Sequence, residues 1–176
     1  MNLTYLNNEN IYLRAPEPED LDVMYDMEND PSSWDVSSFT VPYSRYVLKQ
    51  YIQASQSDIF EDKQLRLMIV QRGPNQVVGT IDLTDFVPLH GRAGVGIAVR
   101  SDFRQQGFAR QALELLIRYT FDFLHFRQLY AYISVKNEAS RNLFGSCGFS
   151  QTGILKDWLR GKEEYEDVYL MQLINS

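Results

Sequence analysis

The stretch Arg104-Gln105-Gln106-Gly107-Phe108-Ala109-Arg110 lies between an apolar run, VGIAV at 95–99, and a long amphipathic segment, QALELLIRYTFDFL at 111–124. Where a strand hands over to a helix, the first helical N–H groups have no internal partners and sit at the positive end of the macrodipole. Gly107 permits a positive φ or a close approach of the backbone, and Ala109 keeps the first turn slim. Arg104 and Arg110 can add charge-assisted hydrogen bonds to an anion. The stretch therefore suits a pyrophosphate cradle, and it equally suits an ordinary turn. A Walker loop is excluded because no Gly-Lys-Ser/Thr follows, and a dinucleotide fingerprint lacks two of its glycines.

A second group with chemical potential is SVKNEASRNLFGSCGF at 134–149. Asn137 stands where a strand should end, with Ser140 three residues on, so Asn137 can cap a helix and can also present its amide to a ligand. Gly148-Phe149 reads as a helix stop with an apolar plug. Cys147 is the single cysteine, which excludes an intramolecular disulfide and a cysteine-rich metal site. It reads as a small core residue rather than a nucleophile.

The elements that must position these groups follow from periodicity. Residues 10–15 alternate as a first strand. Pro16 and Pro18 introduce a helix running to about Glu28 and stopping before Pro31. Ser44 caps a second helix through about Gln56. LRLMIVQ (65–71), QVVGTIDLTDF (76–86) and AGVGIAV (93–99) read as successive strands, with a hairpin-like break at RGPN. The clearest helix follows Gly107: Ala112, Leu113, Leu116, Ile117, Thr120 and Leu124 share one face, opposite Arg110, Glu114 and Arg118. A strand at 128–135, a short helix at 137–147 and two last strands complete an α/β order. It describes a mixed, mostly antiparallel sheet with helices on its faces.

At 176 residues, without repeats or a linker, the chain is expected to form one domain. The first ten residues lack a signal-peptide pattern, and no apolar run approaches membrane-spanning length, so a cytoplasmic protein without a membrane partner is expected. The net charge of −6 and a pI near 4.9 argue against a nucleic-acid partner and are compatible with a cationic substrate.

In these motifs the sequence resembles the GCN5-related N-acetyltransferase (GNAT) superfamily. Arg104 to Ala109 matches the family's Arg/Gln-x-x-Gly-x-Gly/Ala signature. Asn137-Glu138-Ala139-Ser140 and Cys147-Gly148-Phe149 match its second motif, and order and context together are specific. The opening YLRAPEPEDLDVMYDMEND and the closing GKEEYEDVYLMQL look like the ribosomal-protein-alanine and spermidine acetyltransferase branches. The resemblance implies a GNAT fold whose sheet is splayed at its centre, and acetyl-CoA as co-substrate. It implies that the backbone of Gln105, Gln106, Gly107, Phe108, Ala109 and Arg110, with Arg104, holds the CoA pyrophosphate. The pantetheine arm would lie along Ile97, Ala98 and Val99, with Asn137, Ser140 and Phe144 meeting it from the other side.

The implied function is direct transfer of acetyl to a primary amine: a protein N-terminus, a polyamine or a small molecule. The alternative is a non-catalytic acyl-CoA-binding module. Many relatives place a tyrosine on the second-motif helix to protonate the departing thiolate, where this chain has Phe144, and a frequent glutamate appears here as Gly94. That leaves Asp82, on the strand where spermidine-acetylating relatives carry acids, as the expected base. Asp85 would face the opposite way unless a bulge intervenes. His90 reads as a loop histidine, and Trp34, Phe39 and Tyr43 as an acceptor wall or as core caps. No metal is expected. A homodimer is suggested only by analogy with dimeric members.

Overall fold

The computed structural model describes residues 5–34, 41–55 and 58–176. Seven strands form one sheet in the order β1-β2-β3-β4-β5-β7-β6. They are β1 Ile11–Arg14, β2 Leu65–Gln71, β3 Gln76–Val87, β4 Arg92–Val99, β5 Gln128–Ser134, β6 Ser150–Arg160 and β7 Tyr165–Ile174. The helices are α1 Leu21–Glu28, α2 Pro31–Trp34, α3 Arg45–Ala54, α4 Ile59–Asp62, α5 Phe108–Arg118 and α6 Glu138–Ser146. The short α2 and α4 fall in segments with no legible helical period. Every strand pairing is antiparallel except that of β4 with β5.

The apolar run of β2 is continuous because both of its faces are covered. Leu67 and Ile69 pack on one side with α5, in a core that also holds Ile81, Leu83, Leu113, Leu116, Ala131 and Phe144. Met68 and Val70 pack on the other side with Met24, Leu48 and Ile52 of α1 and α3. Each fully buried aliphatic side chain contributes roughly 1.5–3 kcal/mol from area alone. Arg66 interrupts this strand on the α1/α3 face, so the fold must give its charge partners there. Ser44 caps α3 as expected, its hydroxyl accepting from the Val47 N–H at 3.1 Å.

The sequence pattern predicts one unbroken helix after Gly107. The structure instead ends α5 at Arg118 and continues through a π-helical turn, Tyr119–Phe123. Thr120 is fully buried in this turn, and its hydroxyl donates to the Ile117 carbonyl at 3.0 Å. Among the described residues no helix is long and apolar enough to cross a membrane.

The feature that positions the site is the junction of β4 and β5. They pair only over Arg92–Gly94 and Gln128–Tyr130, while β4 runs on to Val99 and β5 to Ser134. Beyond Gly94 the two parallel strands part, and the β5-facing main-chain groups of β4 lose their strand partner. This is the splay that the resemblance implied.

Candidate active site

The gap between the parted strands is a cavity of about 320 Å³. β4 lines it with Val95, Gly96 and Ile97, and β5 with Ala131 to Ser134. Phe144, Asn137 and Ser140 enter from α6, whereas Tyr132 and Trp158 enter from the opposite sheet face. The gap thus passes through the sheet and is reached from both of its sides.

At the far end of β4, a 3₁₀ turn at Ser101–Phe103 leads into the predicted cradle. Gln105 has φ +60° and Gly107, the residue before the first turn of α5, has φ +82°. Two left-handed residues this close bend the chain sharply before the first turn of α5. Gly107 brings no capping side chain, so the N–H groups of Phe108, Ala109 and Arg110 leave the helix end without an intrahelical acceptor. These are the groups an anion would satisfy, and the residues present fit a pyrophosphate. The side chains are turned elsewhere. Arg104 Nε donates to the Val99 carbonyl at 3.1 Å, Gln106 Nε2 to the Asp102 carbonyl at 3.0 Å, and Arg110 Nε to Glu114 at 2.9 Å. The cradle is a main-chain device.

The cradle is braced from behind. Gln111 Oε1 accepts from Asn8 Nδ2 at 3.1 Å and from Asn10 Nδ2 at 3.0 Å, and Gln111 Nε2 donates to the Gly107 carbonyl at 3.3 Å. On the other wall, Asn137 Oδ1 accepts from the Ser140 N–H at 3.1 Å, so the cap reading holds and only the Asn137 amide group is left to meet a ligand.

Asp82, the expected base, is not a free carboxylate. Its Oδ1 and Oδ2 accept from Arg66 Nε and Nη2 at 2.8 and 2.9 Å, a bidentate pair. Arg66 Nη1 also donates to Glu28 Oε1 of α1. Burial disfavours the Arg66 charge, but Asp82 and Glu28 outweigh it and hold the guanidinium pKa well above its ordinary value. Two carboxylates around one guanidinium leave the cluster one net negative charge. Asp82 pairs across β3 and β4 with Gly96, which lines the gap, and a Cβ on Gly96 would lie 4.0 Å from the Asp82 Cβ. Tyr51 and Tyr43 adjoin the cluster, and burial is the main cause that keeps both phenols protonated above their ordinary range.

The space that a side chain at 94 would need is taken: a Cβ there would lie 2.8 Å from Thr84 Oγ1 and 3.3 Å from the Tyr130 ring. A bulge does intervene after Thr84, with Asp85 at φ +48°, and Asp85 lines a separate cleft with Asp62 and Lys63. His90 is exposed in the turn Pro88–His90. Tyr43 is half-buried against the α1/α3 core. Phe39 and the Trp34 side chain lie outside the described residues.

Residues 10–150 match the family model described as "Acetyltransferase (GNAT) domain". The chain belongs to the GNAT acetyltransferase family. It is an N-acetyltransferase that draws on acetyl-CoA. Over 169 residues it is 28% identical to an uncharacterized N-acetyltransferase, p20, of Bacillus licheniformis, covering 96% of this chain and 95% of that one. It is 24% identical to the spermidine N(1)-acetyltransferase of Vibrio cholerae serotype O1, covering 96% and 95%. The crystal structure of the Vibrio cholerae spermidine N-acetyltransferase with CoA and spermine superposes with a TM-score of 0.84 at 24% identity, over 95% of this chain and 96% of that one. A dodecameric structure of the same Vibrio enzyme gives 0.79, over 95% of each chain.

Sequence reasoning on this GNAT chain missed Arg66, Tyr132 and Trp158, and it took Glu28 only as one of several acids between 17 and 30 that could attract a polyamine. For Arg66 a signal existed, a lone charge inside an apolar strand. The pairing of Glu28 with Arg66 carried none, because the two lie 38 residues apart.

Proposed function

We infer that this N-acetyltransferase moves the acetyl group of acetyl-CoA onto a primary amine of a small polycation, a polyamine being the class that fits best. The observation that carries this reading is the cavity between β4 and β5. Its β4 wall runs on towards the amide-rich start of α5, and Gly96 in that wall pairs with Asp82 of the half-buried Glu28–Arg66–Asp82 cluster. The spermidine N(1)-acetyltransferase relatives support the polyamine class, and the dodecameric relative supports self-association of this chain.

Each part of the chain then has a task. The Gln105–Arg110 backbone binds the pyrophosphate of the donor. The unpaired β4 main chain near Ile97 to Val99 aligns the pantetheine arm, and a β4 N–H meets the negative charge that develops on the carbonyl oxygen. Asn137, Ser140 and Phe144 close the arm from the α6 side. Once bound, the donor supplies an acetyl thioester whose sulfur leaves as a thiolate. Glu28 and Asp82, with Arg66 between them, attract the ammonium form of the acceptor and hold it beside Gly96. A free alkyl amine has a pKa of about 10, so one proton must pass to water before nitrogen can attack.

The test is release of free thiol from acetyl-CoA in the presence of separate pools of polyamines, aminoglycosides, amino acids and N-terminal peptides. Gly107→Trp runs in parallel, because its indole would fill the cradle. The expected result is fastest release with the polyamine pool, abolished in Gly107→Trp. Release with another pool alone would move the acceptor class. No release from any pool by protein that still binds CoA would overturn the reading.

A further inference from the structure

The chain has Phe144 where a phenol would be expected to protonate the thiolate, so the proton must come from elsewhere. Of the 13 residues that line the gap, Tyr132 alone carries a titratable side chain. The other hydroxyls there are Ser134 and Ser140, and that of Ser134 donates to Glu166 Oε2 at 2.8 Å. A phenol ionises near pH 10 and a thiol near 8.5, so proton transfer from a phenol to a departing thiolate is uphill by only about 1.5 pKa units, whereas an aliphatic alcohol is far too weak an acid.

Geometry puts Tyr132 across the gap from Phe144. Ala131 and Ile133 belong to the same core cluster as Phe144, and alternation along β5 turns Tyr132 to the opposite face of the sheet. There its ring is held between two others: the Tyr130 ring at 5.5 Å and an interplanar angle of 63°, and the Trp158 ring at 5.7 Å and 40°. Edge and tilted packing of this kind fixes the ring without engaging the hydroxyl. Tyr132 is 49% exposed, which leaves water access to restore a lost proton.

We propose that Tyr132, reaching the gap from the face opposite α6, is the general acid of the transfer. This rests on the acetyl-transfer reading above. As the amine nitrogen bonds to the carbonyl carbon, the C–S bond breaks and its electron pair goes to sulfur. Sulfur takes the Tyr132 proton, giving free CoA thiol. The tyrosinate regains a proton, through water, from the nitrogen that has become an amide. No other reactant is consumed.

The closing experiment uses Tyr132→Phe, which keeps the ring and its contacts, in two measurements. The first needs no acceptor: the thiol of bound CoA is titrated with pH by its rate of alkylation. A Tyr132 hydroxyl beside the sulfur stabilises the bound thiolate, so the variant should bind CoA within about threefold of wild type while its bound thiol ionises at distinctly higher pH. The second is turnover with the amine identified above. There kcat should fall on the order of a hundredfold with KM little changed, and the alkaline decline of wild-type kcat should vanish. Adding Phe144→Tyr to the variant should restore much of the loss, by supplying a phenol from the other wall. An unchanged bound-thiol ionisation, or kcat retained within about threefold, would overturn the assignment. CoA affinity lost in parallel with kcat would overturn it too, because Tyr132 would then be structural. Failure of the transferase reading is separate: wild type inert towards every amine.

Discussion

The two ends of the gap are built from different material. At the α5 end the binding groups are main-chain amides, set by two positive-φ residues and a helix terminus, while the local arginines are turned aside. At the α1/α3 end they are side chains, Glu28, Arg66 and Asp82, gathered from three elements and largely buried. In the proposed function the main-chain end takes the donor, which every substrate pair shares, so backbone geometry suffices. In the same proposal the side-chain end takes the acceptor, the partner that differs between reactions. It depends on charge balance in a way the other end does not.

The largest way to break this balance is to remove the guanidinium. Arg66→Met leaves two carboxylates without their shared cation in a site where the three side chains are 11–21% exposed. Breaking a buried ion pair typically costs about 3–5 kcal/mol, and the residual exposure of Asp82 puts the expectation at the lower end. Denaturant unfolding should show the deficit, and Arg66→Lys should recover only part of it, since an ammonium lacks the fork that spans both Asp82 oxygens. If the side-chain end is as separate as the geometry indicates, CoA affinity in any folded Arg66 variant stays near wild type. A deficit under about 1 kcal/mol would show that the cluster is solvated and not the charged site described.

The same division explains what could be read in advance. The strands were legible because β2, β3 and β4 are rich in apolar residues and bounded by turn signals, and Gly107 because residue type alone marks a positive-φ helix start. The Gln105 φ of +60° was not, since glutamine carries no such mark. The π-helical turn at Tyr119–Phe123 was invisible because Thr120, Phe121 and Leu124 still fit a 3.6-residue period. Asp82 was picked out as the expected base with no sign of the Arg66 guanidinium that its carboxylate accepts from. That pairing spans 16 residues along the chain and two strands, and nothing local encodes it. Tyr132 was hidden in the same way: YAY looks like ordinary strand, and only the parting of β4 from β5 shows which ring meets the gap.

The main-chain end has its own point of failure at Gly79. This residue pairs with Val99, the last residue of β4, and a Cβ on it would lie 2.3 Å from the Ala98 carbonyl oxygen. Gly79→Ala must therefore push the end of β4 away from β3. Overpacking of this kind costs roughly 1–3 kcal/mol, which a thermal melt should register. Because β4 delivers the chain into the cradle, CoA affinity should fall as well, although no atom of Gly79 is in the site. Loss of stability with unchanged CoA affinity would mean that the cradle holds its shape independently of the strand before it.

The smallest effect sharpens the comparison, because it asks whether the α5 end uses side chains at all. Arg110 stands in the first turn of α5, yet its guanidinium bonds Glu114 one turn on, and both side chains are more than half exposed. The pair is an exposed one at i,i+4, so Glu114→Gln should leave the melting temperature indistinguishable from wild type. It would release Arg110 next to the amides of Phe108 and Ala109. If phosphate recognition is wholly main-chain, CoA affinity by calorimetry stays the same at low and at high salt. If Arg110 is a phosphate ligand restrained by Glu114, affinity rises at low ionic strength, by no more than about fivefold, and the gain fades as salt screens an exposed charge. A salt-dependent gain would make the α5 end a mixed site and narrow the contrast with the α1/α3 end. A flat response would leave the backbone as the sole anion ligand there.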